Sequence, residues 1–160
     1  MTVDIRPMLK NDEEAVMRIL RNTPEFKPFE VVVAGELIDD YLEDPASDYY
    51  HLVAESGSEV LGYICYGPTP LTEGTWDVYW MAVDHDRQGQ GIGGRLLETA
   101  EAKMSVAKAR IIIIETSTIP SYEKTQRFYL SHNYEIIATI PDFYAPGDGK
   151  LILQKRFQPA

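Results

Sequence analysis

The spacing of apolar residues along the chain predicts strands and helices in a mixed order. Apolar and polar residues alternate where strands are expected, and apolar residues recur every three or four positions where helices are expected. The predicted order is a strand, two helices, three strands, a helix, a strand, a helix and two final strands. The predicted bounds are about 2–6, 12–21, 30–42, 50–54, 59–66, 75–83, 94–107, 110–115, 121–131, 135–140 and 150–155.

The residues from Ile111 to Ile114 form a continuous apolar run, which is typical of a strand covered on both faces. Strands that first meander and then pass through a helix to a buried strand favour a mixed sheet with helices on both sides. The second helix is predicted to turn four residues inward, namely Val33, Leu37, Ile38 and Tyr41. No repeat or linker interrupts the order, so residues 1–160 are expected to form one domain.

Composition and charge narrow the class of protein. Of the 160 residues, 44% are hydrophobic, which is enough to build a core, and the single cysteine, Cys65, lies in an apolar run that predicts a buried, unreactive thiol. The net charge of -10 argues against nucleic-acid binding; it suits a cationic small molecule, or it merely keeps the surface soluble. No segment is apolar enough for a membrane span or a signal peptide, so we expect a soluble, cytoplasmic protein without a membrane partner.

A cluster of glycines lies between a predicted strand and a predicted helix. Gly89, Gly91, Gly93 and Gly94 would leave backbone N–H groups accessible at the positive end of the helix dipole, which predicts an anion site, with an unliganded flexible turn as the simpler alternative. The same glycines also satisfy the dinucleotide pattern G-x-G-x-x-G. Five residues separate Val83 from Gly89, however, and too few strand and helix units follow for that fold.

The segment also resembles the acetyl-coenzyme A loop of the GNAT acyltransferases, which reads Gln/Arg-x-x-Gly-x-Gly/Ala. Gln88, Gly91 and Gly93 match this pattern, and the predicted order of elements is similar to that of the family over nearly the whole chain. Tyr129 resembles a tyrosine on the last helix of the family. The chain departs from the pattern at Tyr122, where many members have an asparagine, and this puts one cofactor contact in doubt.

The resemblance implies a GNAT-type α/β (α+β) fold, in which a mostly antiparallel twisted sheet is flanked by helices and two strands splay apart at the cofactor site. It implies an N-acetyltransferase that moves an acetyl group directly from acetyl-CoA to a primary amine on a small molecule or a peptide. A CoA-binding module without turnover, and a dinucleotide-binding protein, remain as alternatives, and a homodimer stays open. The cofactor-binding residues so implied are Met81, Ala82, Val83, Gln88, Gly89, Gln90, Gly91, Ile92, Gly93 and Gly94.

Two side chains are candidates for the proton transfers that acetyl transfer requires. Tyr129 would donate a proton to the departing thiolate, since a phenol with a reference pKa of about 10 is protonated at neutral pH; the alternative is a packing tyrosine. Asp77 would accept the proton of the amine, and strand alternation places it on one face with Tyr79 and Met81; an exposed strand carboxylate is the alternative.

Other candidates are weaker. Glu115 is a lesser candidate for the base, His85 is expected to be exposed, and no spacing of His, Cys or carboxylates predicts a metal site. The segment from Asp142 to Asp148 is similar to a loop in some GNAT proteins. It is predicted to connect the two final strands, with substrate contact as the alternative.

Overall fold

The computed structural model describes residues 2–157, which contain seven β-strands and four α-helices. The strands are β1 (Asp4–Pro7), β2 (Tyr50–Ser56), β3 (Glu59–Pro68), β4 (Thr75–Val83), β5 (Ile111–Ser117), β6 (Glu135–Ala145) and β7 (Asp148–Arg156). The helices are α1 (Glu13–Arg21), α2 (Pro28–Glu43), α3 (Ile92–Val106) and α4 (Glu123–Ser131). Single 3₁₀ turns precede α1, α3 and α4.

The strands form one mixed sheet in the order β1-β2-β3-β4-β5-β7-β6. Neighbours are antiparallel except β4 and β5, which are parallel and are joined through α3. The predicted fold class is therefore confirmed. The dinucleotide alternative is wrong, because that fold requires a mostly parallel, doubly wound sheet.

Helices cover both faces of the sheet. On one face, α1 and α2 bury Val16, Ile19, Leu20, Ala34 and Ile38 against β2 and β3. On the other face, α3 and α4 bury a second core that includes Leu96, Leu97, Ala100, Met104 and Tyr129, together with Ile112 and Ile114 of β5. The apolar run of β5 is fully covered on one face only, because Ile112 and Ile114 are buried in this core whereas Ile111 and Ile113 are half-buried on the opposite face.

The second helix begins two residues earlier than predicted. Pro28 occupies its first turn, where the missing N–H costs nothing, and the Glu30 carboxylate accepts a hydrogen bond of 3.2 Å from the Lys27 backbone N–H. Ala34 and Ile38 are buried as an inward stripe, but Val33, which the sequence pattern turned inward, is 43% exposed. Val33 instead faces the large cavity described below.

The final hairpin is longer than its hydrophobic pattern indicates. β6 continues through Asp142 to Ala145, and β7 starts at Asp148, so the predicted connector is mostly strand. Gly147 makes the turn with a φ of 81°, and its N–H donates to an Asp142 carboxylate oxygen at 2.7 Å. The alternation of apolar and polar residues does not extend over this part of the chain, because β6 is an edge strand and is exposed along most of its length.

Candidate active site

The parallel strands β4 and β5 separate halfway along their length. They pair only where Thr75–Val78 face Ile111–Ile114, so the second half of β4 has no pairing with β5. A cavity of about 1300 Å³ lies at this separation, with walls from both strands, from α2, α3 and α4, and from the β6–β7 hairpin. An open strand edge inside a cavity leaves backbone N–H and C=O groups available to a ligand.

A β-bulge in β4 changes the face to which its residues point. Cys65 of β3 is opposite Trp80 and Tyr66 is opposite Val78, so Tyr79 is an extra residue in β4. As a result Tyr79 packs with the core under α1 and α2, whereas Met81 packs with the opposite core. The sequence-based expectation that Asp77, Tyr79 and Met81 share a face is therefore wrong for Met81, because strict alternation cannot anticipate an inserted residue.

The glycine-rich turn lies between β4 and α3, at one end of the cavity. Gly89 and Gly91 have φ values of 79° and 81°, and a Cβ atom added to either would meet no atom within 4 Å. Glycine is thus favoured by the backbone conformation, and no protein atom fills the space beside either residue. Gly91 caps the N-terminus of α3, where the first N–H groups lack helical partners.

The other positions of this segment have different environments. Ile92 is buried in the core, and Gln90 does not contribute to the cavity wall. A Cβ atom at Gly93 would lie 3.3 Å from the Phe128 ring, and one at Gly94 would lie 3.1 Å from His132 Nε2. These two glycines therefore allow α3 to approach α4, in addition to lining the cavity.

Tyr129 lies on α4 at the cavity wall. Its ring is 5% exposed and meets the Tyr134 ring edge-on, with the ring centroids 5.9 Å apart. Burial raises the pKa of its hydroxyl, which keeps the proton on the oxygen at neutral pH. Among the hydrogen bonds within residues 2–157, none involves this hydroxyl. It is therefore held in place by its ring and can donate to a group in the cavity.

Asp77 is half-buried at the point where β4 and β5 part. Its carboxylate accepts hydrogen bonds from the Thr69 hydroxyl at 2.5 Å and the Tyr79 hydroxyl at 3.4 Å. Burial raises the pKa of Asp77, the two hydrogen bonds lower it, and the charge of Glu115 raises it; the net direction is upward. A positioned carboxylate with a raised pKa is typical of a general base.

A second wall of the cavity, called the far wall below, contains Phe29 and Glu30, which the sequence did not single out, together with Tyr122 and residues of the segment from Asp142 to Asp148. They come from α2, from the turn before α4 and from the final hairpin, and they combine aromatic rings with carboxylates: Phe29, Glu30, Tyr122, Phe143, Tyr144 and Asp148. Tyr122 donates a hydrogen bond of 2.8 Å to the Glu25 carbonyl, which ties α4 to the segment before α2. The segment from Asp142 to Asp148 thus lines the cavity as well as connecting two strands. No local sequence motif predicts this wall as a whole, because its residues are distant from one another in sequence.

The remaining reactive groups lie elsewhere. Cys65 is buried, as predicted, and burial raises the pKa of its thiol. Burial also lowers the pKa of His51 to about 4, and His85 is exposed, as expected. Within residues 2–157, no group of three or more His, Cys, Asp or Glu residues is arranged to hold a metal ion, and none of the helices is long and apolar enough to cross a bilayer.

The separation of β4 from β5, with a glycine turn beside it, is the feature by which the chain can be compared with known proteins, and the comparison identifies its family. A family model described as the acetyltransferase (GNAT) domain matches residues 47–136. A crystal structure from Desulfovibrio desulfuricans that is assigned to the GNAT family of acetyltransferases is 37% identical, covers 97% of this chain and 99% of that chain, and superimposes with a TM-score of 0.92. The chain belongs to the GNAT family of acetyltransferases.

More distant solved structures share the fold alone. An aminoglycoside 6'-N-acetyltransferase complexed with coenzyme A is 18% identical, covers 98% of each chain and has a TM-score of 0.77. The ribosomal-protein-S18-alanine N-acetyltransferase from Escherichia coli is 16% identical, covers 99% of this chain and 96% of that chain, and has a TM-score of 0.80. Comparison with curated protein sequences gives no significant match.

Proposed function

We propose that this protein transfers the acetyl group of acetyl-CoA directly to the primary amine of a small cationic acceptor. The observation behind the proposal is one cavity at the point where β4 and β5 separate. The same cavity contains a glycine turn with open backbone N–H groups and a wall of carboxylates and aromatic rings. The first end suits a pyrophosphate and the second suits an amine. The strand edge of β4 lies between them.

The glycine turn and the start of α3 would hold the pyrophosphate through backbone N–H groups. Lys124 and Arg95 add positive charge to this end, and Lys124 Nζ lies 3.4 Å from Gln88 Oε1. The second half of β4, at Met81, Ala82 and Val83, would offer its free backbone groups to the pantetheine arm. Acetyl-CoA supplies an activated acyl group when bound.

The proposed reaction forms a C–N bond and breaks the C–S bond of the thioester. Asp77, directly or through water, takes one proton from the protonated amine, the neutral amine attacks the thioester carbonyl, and the nitrogen releases its second proton to solvent as the amide forms. Tyr129 gives its phenolic proton to the sulfur as the C–S bond breaks, and the tyrosine regains a proton from solvent. The products are an N-acetylamine and the free thiol of CoA.

The test separates binding from turnover. Isothermal calorimetry measures CoA binding, and mass spectrometry detects acetylated product from purified protein, acetyl-CoA and a panel of primary amines. We expect CoA binding together with an acetylated amine and an equal amount of released thiol. Binding without any acetylated amine would identify a CoA-binding module instead, and absence of binding would refute the assignment of the cavity.

A further inference from the structure

Charge is divided along the cavity. At the glycine end, the wall contains three cationic residues and one carboxylate, namely Arg87, Arg95, Lys124 and Glu98, whereas the far half contains five carboxylates, from Glu25, Glu30, Asp77, Glu115 and Asp148. Lys27 is the cation among the described residues of that far half. An anionic ligand end and a cationic ligand end are thus favoured at opposite ends of one cavity.

One further ammonium group of the protein, that of Lys150, lies against residues of the far half without lining the cavity itself. Lys150 Nζ lies 2.8 Å from Glu115 Oε2 and 4.1 Å from the centroid of the Phe143 ring. A carboxylate and an aromatic face are the two partners that stabilise a partly desolvated ammonium. The wall therefore has the chemistry to bind alkylammonium groups.

Asp148 is the most buried carboxylate of this wall, at 8% exposure. One of its oxygens accepts a short hydrogen bond from the Ser117 hydroxyl. The other oxygen lies 3.9 Å from Lys27 Nζ, which is too far for a hydrogen bond. That oxygen is accessible to solvent and accepts no hydrogen bond within the described residues, so a ligand ammonium in the cavity could donate one to it.

The spacing between Asp77 and Asp148 sets the length of such a ligand. Asp77 is level with Ile113 of β5, and Ser117, which binds Asp148, is four residues farther along that strand. At about 3.3 Å per residue, the level of Ser117 lies about 13 Å beyond the level of Asp77 along β5. Hydrogen bonds of about 3 Å at each end leave roughly 7 Å between the two nitrogens of a bridging ligand.

We propose that the acceptor is an extended aliphatic di- or polyamine, whose reacting nitrogen lies near Asp77 and whose distal ammonium binds Asp148 between the aromatic rings of the far wall. The proposal rests on the proposed acetyl transfer and adds the substrate class. In this arrangement Asp148 determines specificity, and Lys27 competes with the distal ammonium of the substrate.

A matched pair of amines tests the proposal. 1,5-Diaminopentane and hexylamine have the same length and differ by an ammonium in place of a methyl group, while 1,2-diaminoethane is too short to reach from Asp77 to Asp148. We expect kcat/KM for 1,5-diaminopentane to be at least about 10-fold above that of either other amine, as a hydrogen bond to a buried charge would give. Similar kcat/KM values for all three amines would overturn the proposal and leave acetyl transfer itself intact.

Two variants locate the effect. Asp148→Asn should reduce kcat/KM for 1,5-diaminopentane to the level of hexylamine, mainly through KM. Lys27→Met should lower KM for the diamine by about 2- to 5-fold, since a weak, half-exposed ion pair no longer competes. This gain cannot come from misfolding. Glu135→Gln removes one charge from the same hairpin outside the cavity and is expected to behave as wild type.

A binding measurement keeps this test independent of turnover. Calorimetric titration of the CoA-saturated protein with 1,5-diaminopentane should give a dissociation constant at least about 10-fold lower for wild type than for Asp148→Asn. If CoA binds and no amine is acetylated, acetyl transfer fails as the function. Equal diamine affinity of wild type and Asp148→Asn would refute the role of Asp148 in either case.

Discussion

The two ends of the cavity differ in charge and in the way the chain builds them. The glycine turn comes from one continuous segment, from Val83 to Arg95, and it presents backbone groups at a helix N-terminus, while Lys124 of α4 adds a charge beside it. The far wall comes from α2, from the turn before α4 and from the β6–β7 hairpin, and it presents side chains. Backbone recognition tolerates little change in conformation, whereas a side-chain wall can change its specificity one residue at a time. The comparison predicts that substitutions at the two ends have different effects on binding and turnover. Substitutions between the two ends, where β4 and β5 separate, should have the largest effects.

The largest effect is expected at the gap, for Tyr129→Phe. The variant retains the buried ring and loses the hydroxyl, so turnover should fall about 10²- to 10⁴-fold while acetyl-CoA affinity is retained. Steady-state kinetics with calorimetry on the same preparation would measure both. Tyr134→Phe is the matched control, because it removes a neighbouring hydroxyl that binds Glu101 at 2.7 Å and lies outside the cavity wall. Wild-type turnover by Tyr129→Phe, with chemistry rate-limiting, would exclude the tyrosine from the mechanism.

A smaller loss of turnover, of about 10²-fold, is expected for Asp77→Asn, since water in an open cavity can accept part of the protons that Asp77 would accept. Burial raises the pKa of Asp77, and a base must be ionised, so the wild-type rate should fall as pH decreases through that raised value. The variant should lose this limb of the pH–rate profile. An unchanged profile would argue against the assignment.

The same variant has an opposite effect on stability. A folded-state pKa above the unfolded one favours the protonated form, so that stabilisation is complete below the unfolded pKa and is lost as pH rises through the folded one. Ionised Asp77 therefore reduces stability at neutral pH. Thermal unfolding should show a higher midpoint for Asp77→Asn than for wild type at pH 7, and equal midpoints at acidic pH.

At the glycine end, Gly91→Val should weaken CoA binding by about 10-fold or more, because the side chain occupies the space proposed for the pyrophosphate. The φ of 81° also makes valine strained, so the free energy of unfolding should fall by roughly 1–2 kcal/mol. Gly57→Val is a matched control: Gly57 has a φ of 64° and open surroundings in the turn between β2 and β3. It should lose stability and retain CoA affinity; equal affinity losses would mean that strain alone weakens binding.

The smallest effect is expected from charge at the same end. Lys124→Gln should raise the CoA dissociation constant by about 2- to 5-fold, and the difference should decrease at high salt, because an exposed charge acts through solvent. Lys103→Gln, near the far end of α3, is the control and should show neither change. A salt-independent difference would indicate a contact other than charge.

The glycine end could be predicted from the sequence because its residues are consecutive. Gly89 and Gly91 follow a strand and open a helix, and that local arrangement alone indicates an anion site. The bounds of β4 were also predicted correctly, as Thr75–Val83, because turn residues flank a strongly β-forming run. Local chemistry determines these features.

The far wall could not be predicted, for two physical reasons. Asp148 and Ser117 are 31 positions apart and meet only because β7 pairs with β5, so their contact depends on sheet order. The bulge at Tyr79 reverses the alternation of β4, and no glycine or proline marks it. Val33 was assigned to the core because a helical stripe does not distinguish a core from an apolar cavity.

The position of β7 has a consequence for the order in which the molecule assembles. β7 lies between β5 and β6, so β6 is attached to the sheet only through it. Pairing β7 with β5 closes a long loop and is entropically costly, which favours a late step in folding. On partial unfolding we expect the hairpin to detach first. Such a molecule would retain the glycine turn and lose the far wall, so under the proposed function a loss of selectivity between amines would be an early kinetic sign of denaturation.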